Sequence, residues 1–217
     1  MDFIVAIDGP AGSGKSSIST IVADKLGFTH IDTGAMYRAV TLEALNRKIN
    51  LENENEYDFI DKIEIINKLG KTYLNGKDVS KEIREEIVTN NVSTVAKLAR
   101  VRAKMVTFQR MSSKGLVLMD GRDIGTVVLP NANLKIFLTA SAECRAKRRC
   151  LQNKEMNIES DYETILKEIK ERDYKDSHRE ISPLKQADDA ILLDTSDMTI
   201  DEVVNTIIKL INERIGG

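Results

Sequence analysis

The run Gly9-Pro10-Ala11-Gly12-Ser13-Gly14-Lys15-Ser16 has the spacing G-x-x-x-x-G-K-[ST]. An apolar, β-branched run, Phe3–Ile7, precedes it, and apolar residues at helical spacing follow. That order of strand, loop and helix is what phosphate binding requires. Glycines let backbone N–H groups converge on phosphate oxygens, and the helix N-terminus adds partial positive charge. Lys15 has the length to reach β- and γ-phosphates, and the Ser16 hydroxyl suits Mg²⁺. The expected nucleotide-binding stretch is therefore Gly9, Pro10, Ala11, Gly12, Ser13, Gly14, Lys15, Ser16 and Ser17, with Ser16 as metal ligand and ATP and Mg²⁺ as the ligands bound.

The loop alone does not separate a kinase from a switch or a motor. No Asn-Lys-x-Asp run of the guanine-binding kind is present, and 217 residues without repeats is small for a motor. Arginines, by contrast, recur near the loops that follow strand-like runs: Arg38, Arg122, then Arg145, Arg148 and Arg149 on one helix, then Arg172 and Arg179 flanking Asp176. A phosphotransferase must hold donor and acceptor phosphates close together against their mutual repulsion, and guanidinium groups do this in a bidentate way. Taken alone, Arg172-Asp176-Arg179 also fits a solvated salt-bridge ladder, and the Arg145–Arg149 set fits a solvent-facing basic strip. Asp120 reads either as an acid organising Mg²⁺ or as a loop acid orienting Arg122. His30 and His178 read as structural or solvated, and Met105, Met111 and Met119 as core packing.

These residues need a scaffold, and the sequence supplies one. Strand-like runs lie at Phe3–Ile7, Thr29–Asp32, Gly115–Met119, Leu134–Leu138 and Ala190–Leu193. Helical patterns cover Lys15–Leu26 (stopped by Gly27), Ala35–Leu45, Tyr162–Lys175 and Ile200–Ile215. Alternating strands and helices imply an α/β fold, a parallel sheet covered on both faces, with ligands beyond the carboxyl ends of the strands. Lys71–Leu74 and Lys77–Val79 flank Asn75-Gly76, a type I′ hairpin signal, and helices are expected at Ser80–Val88 and Thr94–Ser113. Residues about 60–100 thus read as an insert with a small antiparallel sheet in a core of 1–59 and 101–217.

Composition narrows the class. Of 217 residues, 41% are hydrophobic and 30% charged, and the net charge is −2, without the basic excess of a nucleic-acid-binding surface. Cys144 and Cys150 show no CxxC or Cys/His pattern, so two free thiols in a reducing cytosol are expected. The N-terminus lacks a signal-peptide pattern, and no apolar run approaches the roughly 20 residues of a membrane span. The expectation is a cytoplasmic protein that binds small molecules, with neither nucleic acid nor membrane as partner.

The opening Ile7-Asp8-Gly9-Pro10, Asp32-Thr33-Gly34-Ala35-Met36-Tyr37-Arg38, Asp120-Gly121-Arg122-Asp123-Ile124-Gly125-Thr126-Val127-Val128, Lys135-Ile136-Phe137-Leu138 and Glu168-Ile169-Lys170-Glu171-Arg172-Asp173 together resemble bacterial cytidylate kinases nearly end to end. The resemblance implies a three-layer P-loop kinase with a parallel five-stranded sheet, a monophosphate-binding insert with a small antiparallel sheet, and a helical lid at about 148–180. It implies transfer of the γ-phosphoryl group of ATP to CMP or dCMP by a monomer. Thr33 (often Ser in the family), Tyr37 and Arg38 would form part of the CMP pocket, and Ser93, Arg102 and Asp123 would read the cytosine edge. Arg122, Arg172, Asp176 and Arg179 would gather round ribose and acceptor phosphate. Arg145, Arg148 and Arg149 would start the lid that closes on ATP, one or two of them reaching the transferring oxygens, and Lys15, Arg122, Arg148 and Arg149 are the expected catalytic cations.

Overall fold

A computed structural model describes residues 2–68, 70–155 and 157–216. Among the described residues, eight strands and seven α-helices follow in chain order: β1 Phe3–Asp8, α1 Lys15–Leu26, β2 Thr29–Asp32, α2 Thr33–Asn46, β3 Ile65–Lys68, β4 Lys71–Leu74, β5 Lys77–Asp78, α3 Glu86–Ala96, α4 Ala99–Met111, β6 Leu116–Gly121, β7 Leu134–Thr139, α5 Ala142–Glu155, α6 Tyr162–His178, β8 Ile191–Asp194 and α7 Ile200–Gly216.

The main sheet has the order β2-β6-β1-β7-β8, with every neighbouring pair parallel. The chain moves from β1 outward to β2, returns to β6, then crosses β1 to β7. That reversal puts a crevice at the carboxyl end of the central strand, where α/β sheets bind ligands. The central strands β1 and β6 are nearly continuous apolar runs because both faces are covered, whereas β2 carries Thr29 and His30 and the edge strand β8 is largely exposed. On one face Val5, Ile7, Leu118 and Ile136 pack with Ile18 and Val22 of α1 and with Val203, Val204, Ile207 and Ile211 of α7. On the other, Ala6, Val117 and Met119 pack with α2, α3 and α4. Each fully buried Val or Ile contributes about 1.5–3 kcal/mol through removal from water.

The insert is built as a three-stranded antiparallel sheet, β3-β4-β5. Its β4–β5 turn uses Asn75 at φ 51 and Gly76 at φ 79, the two left-handed positions of a type I′ turn. Asn67 of β3 donates to the Asp32 carbonyl at 2.9 Å, tying the small sheet to the end of β2.

Several boundaries differ from expectation. Ser80–Val88 is not one helix: Glu82–Arg84 is a 3₁₀ turn, Glu85 is extended, and α3 starts at Glu86. Thr94–Ser113 is two helices, because Leu98 adopts an extended conformation between α3 and α4 and redirects the chain. Met111, expected in the core, is 67% exposed at the end of α4, whereas Met105 and Met119 are buried.

The segment after β6 is fastened by Asp8. This buried carboxylate accepts from the N–H of Ile124 at 2.8 Å and of Gly125 at 2.7 Å, fixing the turn that carries Asp123 against the start of the phosphate loop. Burial pushes its pKa up to about 6, against the two N–H bonds that favour the charged form. A raised carboxyl pKa stabilises the fold fully below about pH 4, and this contribution is lost as pH rises through about 6; the shift amounts to about 3 kcal/mol. The Asp8 carboxyl carbon should therefore titrate with a midpoint near 6 by NMR in the folded chain. A midpoint near the ordinary 3.8 would contradict this account.

Candidate active site

The phosphate loop leaves β1 through Gly9 at φ 153, where a Cβ would collide with the carbonyl oxygen of Leu138 at the end of β7. Only glycine fits there. Gly12 (φ 74) and Gly14 (φ 86) then turn the backbone so that the loop closes on the N-terminus of α1. Lys15 is buried and folds back over the loop, its Nζ donating to the Pro10 carbonyl at 2.8 Å and to Ser13 Oγ at 3.4 Å. Burial lowers its pKa well below the usual lysine range, and Arg122 lowers it further. The Ser16 hydroxyl donates to Asp120 Oδ2 at 2.8 Å, and Ser17 lies exposed on the first turn of α1.

Asp120 ends β6 beside β1. Its other oxygen faces His30 Nε2 at 2.6 Å. Burial opposes its charge, but His30, Lys15 and Ser16 together hold its pKa below the usual carboxylate range. Asp120 thus faces Ser16 and His30 and does not orient Arg122. Arg122 is oriented by a different carboxylate, Asp176, at 2.9 Å. The donor set of Ser16 hydroxyl and neighbouring carboxylate suits a hard cation such as Mg²⁺.

Next to the loop lies a second cationic pocket. Asp32 caps α2 by accepting from the Ala35 N–H at 2.8 Å, and its other oxygen meets Arg38 at 3.5 Å. Thr33 donates to the Asp120 carbonyl at 2.7 Å, an approach open because Gly121 carries no Cβ, which would lie 2.6 Å from the Thr33 oxygen. Arg102 of α4 is buried and pairs with Asp123, and its guanidinium lies 5.9 Å from the centre of the Tyr37 ring. Arg179 reaches the other Asp123 oxygen at 3.5 Å. Burial pushes the Tyr37 phenol up to about 12, so its hydroxyl keeps its proton. Burial, then repulsion from Arg122, lowers Arg172 to about 10. Among the described residues Arg38 Nε, Arg172 Nε and one Arg179 nitrogen are buried without a hydrogen-bond partner.

The match to the sequence model of the family described as cytidylate kinase runs over residues 5–213. The chain belongs to the cytidylate kinase family. Among its curated relatives, the cytidylate kinase of Acholeplasma laidlawii is 50% identical over 99% of this chain and 97% of its own length. That of Lactobacillus gasseri is 54% identical over 97% and 94%, and that of Desulforamulus reducens 53% over 96% and 96%. Among solved structures, an uncharacterized protein from Eubacterium ventriosum aligns over 97% of this chain and 98% of its own with TM-score 0.51 and 14% identity. TT1252 from Thermus thermophilus aligns over 100% and 99% with TM-score 0.50 and 14% identity, and both bear on the fold alone.

Within this kinase-family site, Thr33, Tyr37, Arg38, Arg102, Arg122, Asp123, Arg172, Asp176 and Arg179 come together at the carboxyl end of the sheet. Arg179 does so from outside α6: it follows the last helical residue with an extended backbone, so its meeting with Asp176 is not a matter of helical spacing. Ser93 is half-buried on α3, which packs against α6. Arg148 and Arg149 are not gathered round the phosphate loop. Arg148 turns to the segment after β8 and donates to the carbonyl and hydroxyl of Thr195, and Arg149 is exposed, 3.2 Å from Gln152. The arginine at the loop is Arg145, which donates to the Ala11 carbonyl at 2.9 Å and grips Asp173 of α6 with two nitrogens at 3.1 and 2.6 Å. Sequence spacing placed all three on one side of α5, and a difference of three or four positions decides which element each one meets.

The Arg102–Asp123 pair is buried on both sides, so loss of one partner strands the other. Arg102→Met should cost about 3 kcal/mol of stability in chemical denaturation, and adding Asp123→Asn should recover part of the loss. Additive losses in the double variant would contradict a direct pairing.

Proposed function

We propose that this chain transfers the γ-phosphoryl group of ATP to the α-phosphate of CMP or dCMP, giving ADP and CDP or dCDP. The observation that carries the reading is the second cationic pocket. Three buried guanidinium nitrogens there make no hydrogen bond among the described residues, the one on Arg179 having only the Asp123 carboxylate 3.5 Å away, and Arg122 stands close enough to Lys15 to lower its pKa. One anion at the loop and another at the arginines would therefore lie side by side, as phosphoryl transfer between two phosphates requires.

Gly9–Ser17 hold the donor phosphates through backbone N–H groups, and Lys15 balances charge on the β- and γ-phosphates. Ser16 would hold Mg²⁺, with Asp120 beside it; the ion, when bound, neutralises charge on the donor oxygens. Arg38, Arg122, Arg172 and Arg179 hold the acceptor phosphate and ribose, and Asp176 accepts from ribose hydroxyls. An oxygen of the acceptor phosphate forms the new P–O bond as the bond to ADP breaks. That oxygen is already ionised at neutral pH, so no general base is required. Tyr37, Ser93, Arg102 and Asp123 line the base pocket, where a carboxylate can accept from the cytosine amine that uracil lacks. Arg149 acts only on closure of the α5–α6 pair, and Arg148 shapes the segment after β8. In this reading the working unit is a monomer acting on free nucleotides in the cytoplasm.

Two measurements test the reading. A coupled assay with ATP and Mg²⁺ across CMP, dCMP, UMP and AMP should rank a cytosine nucleotide among the best acceptors; ATP turnover without acceptor dependence would indicate a nucleotide-dependent switch instead. Asp123→Ala should weaken CMP by about 1–3 kcal/mol and leave ATP almost unaffected. Equal losses for both nucleotides would reject the base-reading role.

A further inference from the structure

His30 is the more buried of the two histidines, its side chain 14% exposed, and none of the roles above uses it. It lies on β2 in register with Leu118 of β6, so its ring points to the sheet face covered by α1 and reaches along β6 to Asp120. Its Nε2 is 2.6 Å from Asp120 Oδ1, and its Nδ1 is 3.1 Å from Thr20 Oγ1. Thr20 Oγ1, one turn along α1 from Ser16, lies 2.9 Å from the Ser16 carbonyl. Ser16 in turn donates its hydroxyl proton to Asp120 Oδ2. The four side chains close a ring of hydrogen bonds that begins and ends at Ser16.

Counting protons fixes the direction of the bonds to Asp120. Thr20 Oγ1 stands between the Ser16 carbonyl and His30 Nδ1: it accepts from Nδ1–H when the ring carries both protons and donates to Nδ1 when the ring carries only the Nε2 proton. An ionised carboxylate only accepts, so His30 Nε2–H donates to Asp120. Asp120 is therefore held at both oxygens and cannot rotate about its terminal bond without losing a charged hydrogen bond. With Oδ2 committed to the Ser16 proton, the lone pairs of the Ser16 oxygen remain for a cation.

We propose that His30 is a positioning residue for the metal–nucleotide site: it fixes Asp120 so that Asp120 keeps the Ser16 hydroxyl oriented as an Mg²⁺ ligand. This rests on the reading of Ser16 as that ligand. The His30 ring bonds Asp120 and Thr20, and among the described residues makes no hydrogen bond to the loop or to the arginines. Outer partners of this kind commonly set metal affinity without touching the metal.

The test uses the full chain and Mn²⁺ as the probe metal, with Mn²⁺ bound in the presence of ATP followed by electron paramagnetic resonance. Binding of ATP in EDTA is followed by calorimetry. His30→Leu should weaken Mn²⁺ by about tenfold while metal-free ATP binding stays unchanged. His30→Gln, which restores an N–H donor toward Asp120, should recover most of the affinity. Thr20→Val, which removes the hydroxyl behind the ring, should weaken Mn²⁺ in the same direction and serves if His30→Leu does not fold. Unchanged or tighter Mn²⁺ binding in His30→Leu, an equal loss of metal-free ATP, or no recovery in His30→Gln would overturn the proposal. A wild-type chain that binds ATP with no dependence on Mn²⁺ would instead reject the metal site itself.

Discussion

Lys15, Arg38, Arg122, Arg172 and Arg179 repel one another, and the fold must hold them together before any anion arrives. Two such charges about 6 Å apart at the effective dielectric of a protein surface cost about 3 kcal/mol. The carboxylates at the strand ends offset this. Asp32 serves Arg38, Asp176 serves Arg122, Asp123 serves Arg102 and Arg179, and Asp120 lowers the potential around Lys15. The parallel sheet is what brings these acids to one edge, because each strand ends at the same level and delivers its last residues into the same crevice.

The balance is incomplete. Depressed pKa values at Lys15, Arg38, Arg172 and Arg179 all reflect burial first and unrelieved neighbouring charge second or later. A bound anion relieves both penalties at once.

Much of this was legible in the sequence, for reasons that can be named. The strands β1, β6 and β7 are short, mostly apolar and lead into small or acidic residues, a pattern that fits a doubly covered parallel sheet. The Asn75-Gly76 turn declared its own geometry. The break at Leu98 was hidden because the residues on both sides are good helix formers, and the bend comes from packing. The partners of His30 were hidden because they lie 10 and 90 positions away, joined only when β2 is laid beside β6 and α1 across both. The parting of Arg145 from Arg148 and Arg149 was hidden because helical spacing gives a direction without saying what stands there.

Arg145 has a mechanical consequence. Its buried guanidinium joins the Ala11 carbonyl, the Ala140 carbonyl and the Asp173 carboxylate. Tearing that junction would strand a buried cation at a cost of several kcal/mol. The stretch of α6 from Asp173 to His178, which carries Asp176, therefore travels with the phosphate loop as one piece of framework. If the α5–α6 pair closes over a nucleotide as proposed, it would have to flex before Asp173 is reached, and the moving part would be shorter than the pair itself.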